Sequence, residues 1–353
     1  MIAVSTNATR RLVRARAPLR LGLAGGGTDV SPYCDQFGGF VLNATIDKHA
    51  FAIIEPRNDD IVRFVAADQS RDVEYPSASS LEFDGMLDLH KGVYNWAVRH
   101  LNDGVPLSAT LTTFSDAPAG SGLGSSSTMV VAMIQAFCEF THATLSEYSL
   151  AHAAYEVERR DVGLVGGRQD QYSAAFGGCN FMEFYANDRV VVNPLRIKNS
   201  ILFELEASLV LYFTGVSRES ATIIAEQTRN MERSDDAAMN ALHDLKTEAV
   251  VMKESLLKGD FNTFVDSMHR SWESKKRTAS LVSNTSINDV YEAALRNGAR
   301  AGKVSGAGGG GFMMFFANPE QRMQLIRTLQ GFGGNVMNCQ FTKHGAESWK
   351  PTP

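Results

Sequence analysis

Three glycine-rich segments stand far apart in this chain, and each has a different flank. Leu23-Ala24-Gly25-Gly26-Gly27-Thr28-Asp29 follows an apolar run, and Ser305-Gly306-Ala307-Gly308-Gly309-Gly310-Gly311 precedes one. Between them, Pro118-Ala119-Gly120-Ser121-Gly122-Leu123-Gly124-Ser125-Ser126-Ser127 joins an alternating strand pattern to an amphipathic helix pattern. Backbone without Cβ atoms lets an anion approach closely, and a helix start adds free N–H groups and partial positive charge. Any one segment reads equally well as a flexible turn. All three in a chain of 353 residues point to phosphate or nucleotide handling.

The middle segment says most. It runs from the strand Ala109–Phe114 into a helix of about Ser127–Thr141, with Val130, Ile134 and Phe137 on one face. Its serines supply hydroxyls for phosphate oxygens or Mg²⁺. No GxxxxGK[ST] occurs, so a Walker-type loop is excluded. Gly306, Gly308 and Gly311 form a GxGxxG, but the apolar strand Phe312–Ala317 follows where a dinucleotide site requires a helix. A tight turn against a bound substrate or phosphate fits that loop better.

Two acidic residues frame the stretch from Glu158 to Asp170. Glu158 lies at the end of an amphipathic helix of about Ser146–Arg160, and Asp170 follows a Gly166-Gly167 turn. A solvated helix end and an ordinary loop would account for the spacing. So would one carboxylate on a metal and another on an acceptor hydroxyl, the two roles phosphoryl transfer requires.

Elsewhere the first half alternates short strands with turns. Leu12–Arg16 and Leu19–Leu23 read as strands flanking Pro18, Phe40–Glu55 as one long strand or two, and Asn180–Tyr185 as a strand after Gly177-Gly178. The second half is more helical. After a strand Ser208–Phe213, Ser217 reads as the N-cap of a helix to about Met231, and Leu242, Leu245, Ala249, Met252 and Leu256 recur at helical spacing. Ser286 reads as the N-cap of Ile287–Arg296, and Asn318-Pro319-Glu320 opens a helix that Gly331 ends. Asn335–Phe341 reads as a last strand and Glu347–Pro353 as a loose tail. The polar stretch before Pro194 divides the chain into residues 1–190 and 191–353.

Composition narrows the classes. At 44% hydrophobic and 21% charged, the chain buries a core and does not read as disordered. The 34 basic residues against 39 acidic ones give −5 with no basic run, which argues against a nucleic-acid partner. Cys34, Cys138, Cys179 and Cys339 form no CxxC pair, so neither a disulfide framework nor a zinc knuckle is suggested. Met1–Arg11 has no apolar leader core, and Phe312–Ala317 is far short of the ~20 residues that span a bilayer. A cytoplasmic chain with no membrane partner is the expectation.

Ala17-Pro18-Leu19-Arg20, the Pro118-to-Ser127 segment and the Gly306–Gly311 loop together resemble the three motifs of the GHMP sugar and metabolite kinases, in their order and spacing. Within that family, Ala24-Gly25-Gly26-Gly27-Thr28-Asp29, Gln169-Asp170-Gln171-Tyr172 and Lys303-Val304-Ser305-Gly306 are most similar to the branch acting on D-glycero-D-manno-heptose 7-phosphate. The resemblance implies a two-domain α+β fold: an N-terminal domain of the ribosomal-protein-S5 type and a C-terminal ferredoxin-like one. It implies an ATP-dependent kinase that phosphorylates the anomeric hydroxyl to the 1,7-bisphosphate, toward nucleotide-activated heptose.

By motif position, the resemblance sets ATP phosphates on Pro118, Gly120, Ser121, Gly122, Leu123, Gly124, Ser125, Ser126 and Ser127, and Mg²⁺ on Ser126 and Glu158. It makes Asp170 the base, with Arg20 where mevalonate kinases place a lysine. It sets the sugar against Gly26, Gly27, Thr28, Asp29, Asp170, Gly308 and Gly309. Two departures stand out. Galactokinases carry Glu-His where this chain has Gly26-Gly27, and the Glu158–Asp170 interval is one residue longer than in mevalonate kinases. A kinase for fucose or another sugar is the alternative acceptor reading, and a non-catalytic sugar and ATP sensor the alternative class. A serine hydrolase fails, because no GxSxG elbow is present. For a phosphate on the sugar, Arg168, Lys275, Lys276, Arg277, Arg300 and Lys303 are candidates that sequence does not rank.

Overall fold

The computed structural model describes residues 11–216 and 220–352. Ser217 and residues 1–10, on which the N-cap and leader readings fall, lie outside the described residues. Two sheets organise the rest. The larger has eight strands: β1 (Val13–Ala24), β2 (Gly39–Pro56), β3 (Ile61–Ala66), β4 (Arg71–Pro76), β5 (Ala109–Ser115), β6 (Cys179–Phe184), β7 (Val190–Pro194) and β12 (Glu347–Trp349). The smaller has four: β8 (Leu209–Phe213), β9 (Ala299–Val304), β10 (Phe312–Ala317) and β11 (Asn335–Met337), in the order β11-β8-β10-β9 and antiparallel throughout. Counted within the small sheet that order is 4-1-3-2, with helices between the first and second and the third and fourth strands: a ferredoxin-like arrangement.

β2 organises the large sheet. Its 18 residues are rich in β-branched and aromatic side chains, so it stays extended far beyond an ordinary strand. β1 pairs along nearly its whole length, β5 along Ala50–Pro56, and β6 along Gly39–Ala44. The two strands expected around Pro18 are one, interrupted by a register shift between Pro18 and Arg20. Before the shift Val13, Ala15 and Ala17 join the core under the helix Ser125–Thr141; after it Leu19, Leu21 and Leu23 join a second core shared with the small sheet and the helices Asp236–Lys258 and Phe261–Lys276. A bulge of this kind re-aims the side chains beyond it. Here it delivers Arg20 to the floor of a cleft.

Three further expectations change. Glu347–Pro353 is no loose tail: Glu347–Trp349 is β12, antiparallel to β1 and fastened by the Arg16–Glu347 ion pair at 2.8 Å. β1 offers an open edge there, and three residues are too few to show an alternation in sequence. Asn335–Phe341 pairs with β8 only as far as Met337, and Phe341 bridges to Ile46 in the large sheet instead. The N-cap of the helix Thr285–Arg296 is Asn284, whose Oδ1 accepts the Ile287 N–H at 3.0 Å, rather than Ser286. No helix among the described residues is long and apolar enough to cross a membrane.

Candidate active site

A cleft of about 660 Å³ opens where the two sheets meet, and all three glycine-rich segments contribute to it. The helix Ser125–Thr141 begins at its wall. Its N-cap is Gly124, which has no side chain to occupy the free N–H groups of the first turn, so that turn is left open to an anion. Gly124 sits at φ +78°, and a Cβ there would lie 3.1 Å from the Asp170 carboxyl carbon. Gly122, at φ +82°, packs so closely that a Cβ would run into the Ser305 carbonyl. Both positions therefore demand glycine. Ser305 Oγ donates to Gly122 O at 2.9 Å, and the Phe312 N–H to Ser121 O at 2.8 Å. The late loop thus braces the middle loop from the other sheet.

Arg20 and Asp170 meet beside this helix start. Arg20 is 3% exposed. Its Nε donates to Asp170 Oδ1 at 2.7 Å, a second nitrogen lies 2.6 Å from the same oxygen, and a third donates to Gly122 O at 2.7 Å. Asp170 stands in the first turn of the helix Gln169–Phe176, and its Oδ2 has no hydrogen bond among the described residues. That oxygen is free to accept a proton or a hydroxyl from a ligand.

Glu158 lies in a π-helical turn, Glu156–Asp161, that continues the helix Glu147–Tyr155. A π turn takes in one residue more than an α turn and is frequent at functional sites. The turn aims the Glu158 carboxylate into the cleft. Glu158 Oε1 accepts from Ser126 Oγ at 2.9 Å and Oε2 from Gln171 Nε2 at 2.7 Å, while Arg159 lies 3.3 Å from Oε1. Sequence reasoning missed Gln171. Its place directly after Asp170 was the signal, since consecutive residues of a helix point about 100° apart and so reach different neighbours.

The sugar-side residues divide. Gly26 and Gly27 line the cleft. Asp29 also borders it, but its carboxylate accepts the N–H groups of Gly27, Arg168 and Gln169 and the Gln169 side-chain amide, all at 3.0–3.1 Å. It caps the Gln169–Phe176 helix from about 140 residues away, which fixes Asp170. Thr28 is buried in a turn, its hydroxyl bonded to Gly25 O and Phe40 O. Gly308 and Gly309 pack against Val282, the Gly309 N–H donating to Val282 O at 2.8 Å, and the cleft is lined by Gly306 and Ala307 instead. On the phosphate side, Gly120, Gly122, Gly124, Ser125, Ser126 and Ser127 line it. Leu123 belongs to the second core, and Ser121 is buried and bonded to Ser125 Oγ at 3.1 Å; the Pro118 carbonyl receives the Ser121 N–H at 3.2 Å.

Of the six basic candidates, two line the cleft: Lys275 and Lys303, 5% and 7% exposed. Burial pushes the Lys275 ammonium down to about 8, against a rise from nearby Asp29. Burial, with the like charges of Lys275 and Arg20, pushes Lys303 down to about 7. Arg168 is turned to Asp188, at 3.1 Å, and Lys276, Arg277 and Arg300 engage Glu273, Asp244 and Asn262 outside the cleft.

Sequence comparison agrees with the geometry. Residues 88–178 match the GHMP kinases N terminal domain and residues 252–334 the GHMP kinases C terminal. The chain is 48% identical, over 96% of its length and 99% of the relative's, to the D-glycero-alpha-D-manno-heptose 7-phosphate kinase of Campylobacter jejuni subsp. jejuni serotype O:2. It is 26% identical, over 90% of its length but 36% of the relative's, to the L-fucokinase/L-fucose-1-P guanylyltransferase of Bacteroides fragilis. A crystal structure of a D-glycero-D-manno-heptose 1-phosphate kinase from Bacteriodes thetaiotaomicron superposes with a TM-score of 0.83 at 44% identity, covering 97% of this chain and all of that one. The chain belongs to the GHMP kinases and is a sugar kinase, a phosphotransferase with an alcohol group as acceptor and ATP as the family's phosphoryl donor.

Proposed function

We propose that this enzyme moves the γ-phosphoryl group of ATP to the anomeric hydroxyl of D-glycero-D-manno-heptose 7-phosphate, giving the 1,7-bisphosphate on the way to nucleotide-activated heptose. The acceptor is taken from the relative that is 48% identical along the full chain. The observation that carries the chemistry is the Arg20–Asp170 pair set against Gly124 at an uncapped helix start. The acceptor hydroxyl gives its proton to Asp170 Oδ2 as its oxygen bonds to the γ-phosphorus, and the bond to the β–γ bridging oxygen breaks to release ADP. An anomeric hydroxyl is more acidic than an ordinary alcohol, so a single carboxylate is an adequate base. Arg20 holds Asp170 by Oδ1 and leaves Oδ2 for the substrate.

The phosphates of ATP rest on Gly120, Gly122, Gly124 and Ser125–Ser127, where the first-turn N–H groups and the helix dipole meet negative charge. The oxygens around Ser126 suit Mg²⁺, which takes one or two protein oxygens together with substrate phosphates. Ser126 Oγ and Glu158 would hold it, and Gln171 Oε1 is a further buried oxygen without a partner among the described residues. Bound there, the ion neutralises triphosphate charge. ATP lies at the junction of two units, residues 1–190 and 191–353, with β7, from Val190 onward, and β12 completing the first unit's sheet. The enzyme works in the cytoplasm with no need of a nucleic-acid or membrane partner.

A relative described as a heptose 1-phosphate kinase has position 1 already occupied, so its acceptor hydroxyl would be another one. A panel of D-glycero-D-manno-heptose, its 1- and 7-phosphates, fucose, galactose and mannose, assayed for ATP consumption and product phosphate position, decides between them. The expected result is highest kcat/KM for the 7-phosphate, with the new phosphate on C1. Preference for the 1-phosphate or for an unphosphorylated sugar refutes the proposal.

A further inference from the structure

We propose that Lys275 and Lys303 form the pocket for the phosphate the sugar already carries, and that this pair selects a sugar phosphate over the free sugar. The inference rests on the phosphorylated acceptor proposed above and assigns the residues that recognise it. Neither ammonium has a carboxylate within ion-pair distance among the described residues. Each is held by backbone carbonyls instead: Lys275 Nζ donates to Gly26 O at 2.9 Å, and Lys303 Nζ to Gly22 O at 3.0 Å and Leu23 O at 3.1 Å. A lysine ammonium has three N–H donors. Lys275 therefore keeps two in hand and Lys303 one, all at a cleft they both line.

Burying a cation out of ion-pair reach of a carboxylate is costly: Lys275 has only the negative charge of Asp29 nearby, and Lys303 stands close enough to Lys275 and Arg20 for their charges to oppose its protonation. A phosphate dianion supplies the missing charge and the acceptor oxygens for the spare donors. Position separates this pocket from the ATP site. The carbonyls that hold the two lysines belong to Gly22–Gly26, the end of β1 and the first glycine turn, whereas Asp170 abuts Gly124 of the Gly120–Ser127 loop. Arg20, bonded to Asp170, lies near enough to Lys303 to lower its basicity. The order lysine pair, Arg20–Asp170, helix start is that of a substrate whose anion sits at one end and whose reacting hydroxyl meets ATP at the other. Glycine at 27 belongs to the same device, since its Cβ position is 2.9 Å from Lys275 Nζ and any side chain would crowd the ammonium.

The test compares wild type with Lys275→Met, Lys303→Met and Lys303→Gln, the last of which keeps an N–H donor for the carbonyls. KM and kcat are measured for D-glycero-D-manno-heptose 7-phosphate and for the unphosphorylated heptose. Affinity for a non-hydrolysable ATP analogue and thermal melting report on folding and on the nucleotide site. The expected result is a KM for the sugar phosphate raised at least about tenfold in each variant, with the preference over free heptose reduced by the same factor and analogue affinity within about twofold. A preference that survives in folded variants overturns the pocket while leaving the acceptor in place. A parallel loss of analogue affinity also overturns it, by assigning the lysines to ATP. A wild-type enzyme without any preference for the phosphorylated sugar overturns the acceptor reading and the pocket with it.

Discussion

Replacing Asp170 by Asn separates chemistry from architecture at the centre of the cleft. Asn keeps the shape and one oxygen for Arg20, and removes the charge and the proton acceptor. Arg20, 3% exposed, loses an anion 2.6–2.7 Å away and keeps the Gly122 carbonyl at 2.7 Å. Breaking a buried pair by neutralising one partner costs about 3–5 kcal/mol, and because the Asp170 side chain is 20% exposed the lower end applies. That corresponds to a fall in Tm of about 5 °C or somewhat more, with a folded protein at assay temperature. Loss of a positioned base is larger in rate: about 10²–10⁴-fold in kcat, or roughly 2.7–5.5 kcal/mol of barrier. Affinity for an ATP analogue should stay near wild type, because Asp170 touches the loop at Gly124 and not through a hydrogen bond. Steady-state kinetics with both substrates, a melting curve and an analogue titration together make the assay. A folded Asp170→Asn enzyme with unchanged kcat and a raised sugar KM refutes the base and leaves Asp170 as a sugar-positioning residue.

Ser126→Ala removes a hydroxyl 2.9 Å from Glu158 and disturbs no core, so the Mg²⁺ concentration for half-maximal rate should rise several-fold with little change in Tm; an unchanged Mg²⁺ dependence refutes the metal assignment. Lys303→Met bears on stability through pH. Lys303 is held near 7 in the fold by burial and by Lys275 and Arg20, below the ordinary value of 10.5, so the unfolded chain binds the extra proton between about pH 7 and 10.5. Stability contributed at this site therefore rises with pH across that window and is lowest, by the full charged-state cost, below it. Lys303→Met should raise Tm at pH 6.5 by more than at pH 10; an equal shift at both refutes the account.

The sequence disclosed the parts of this site that local backbone chemistry dictates and hid those that tertiary contacts create. The Gly120–Ser127 loop was legible because closely spaced glycines before an amphipathic helix have few other uses, and the strand-to-helix transition was visible on both sides. Asp170 was legible by its place after Gly166-Gly167, although what holds it was not: Asp29 and Arg20 lie about 140 and 150 residues away, and nothing local pairs them. Asp29 shows the hazard of moving a role by position alone, since its carboxylate is used up by four N–H donors. The two lysines show the converse. In sequence Lys275 sits in a run, Lys275-Lys276-Arg277, that looks like a solvated helix end, and only the packing distinguishes its members. Lys276 and Arg277 turn outward to Glu273 and Asp244, while Lys275, one step round the helix, is buried against Gly26. What made Lys275 unreadable is what would make it selective: a cation forced out of water, held by the Gly26 carbonyl alone and out of ion-pair reach of any carboxylate among the described residues, keeps two N–H donors for a ligand.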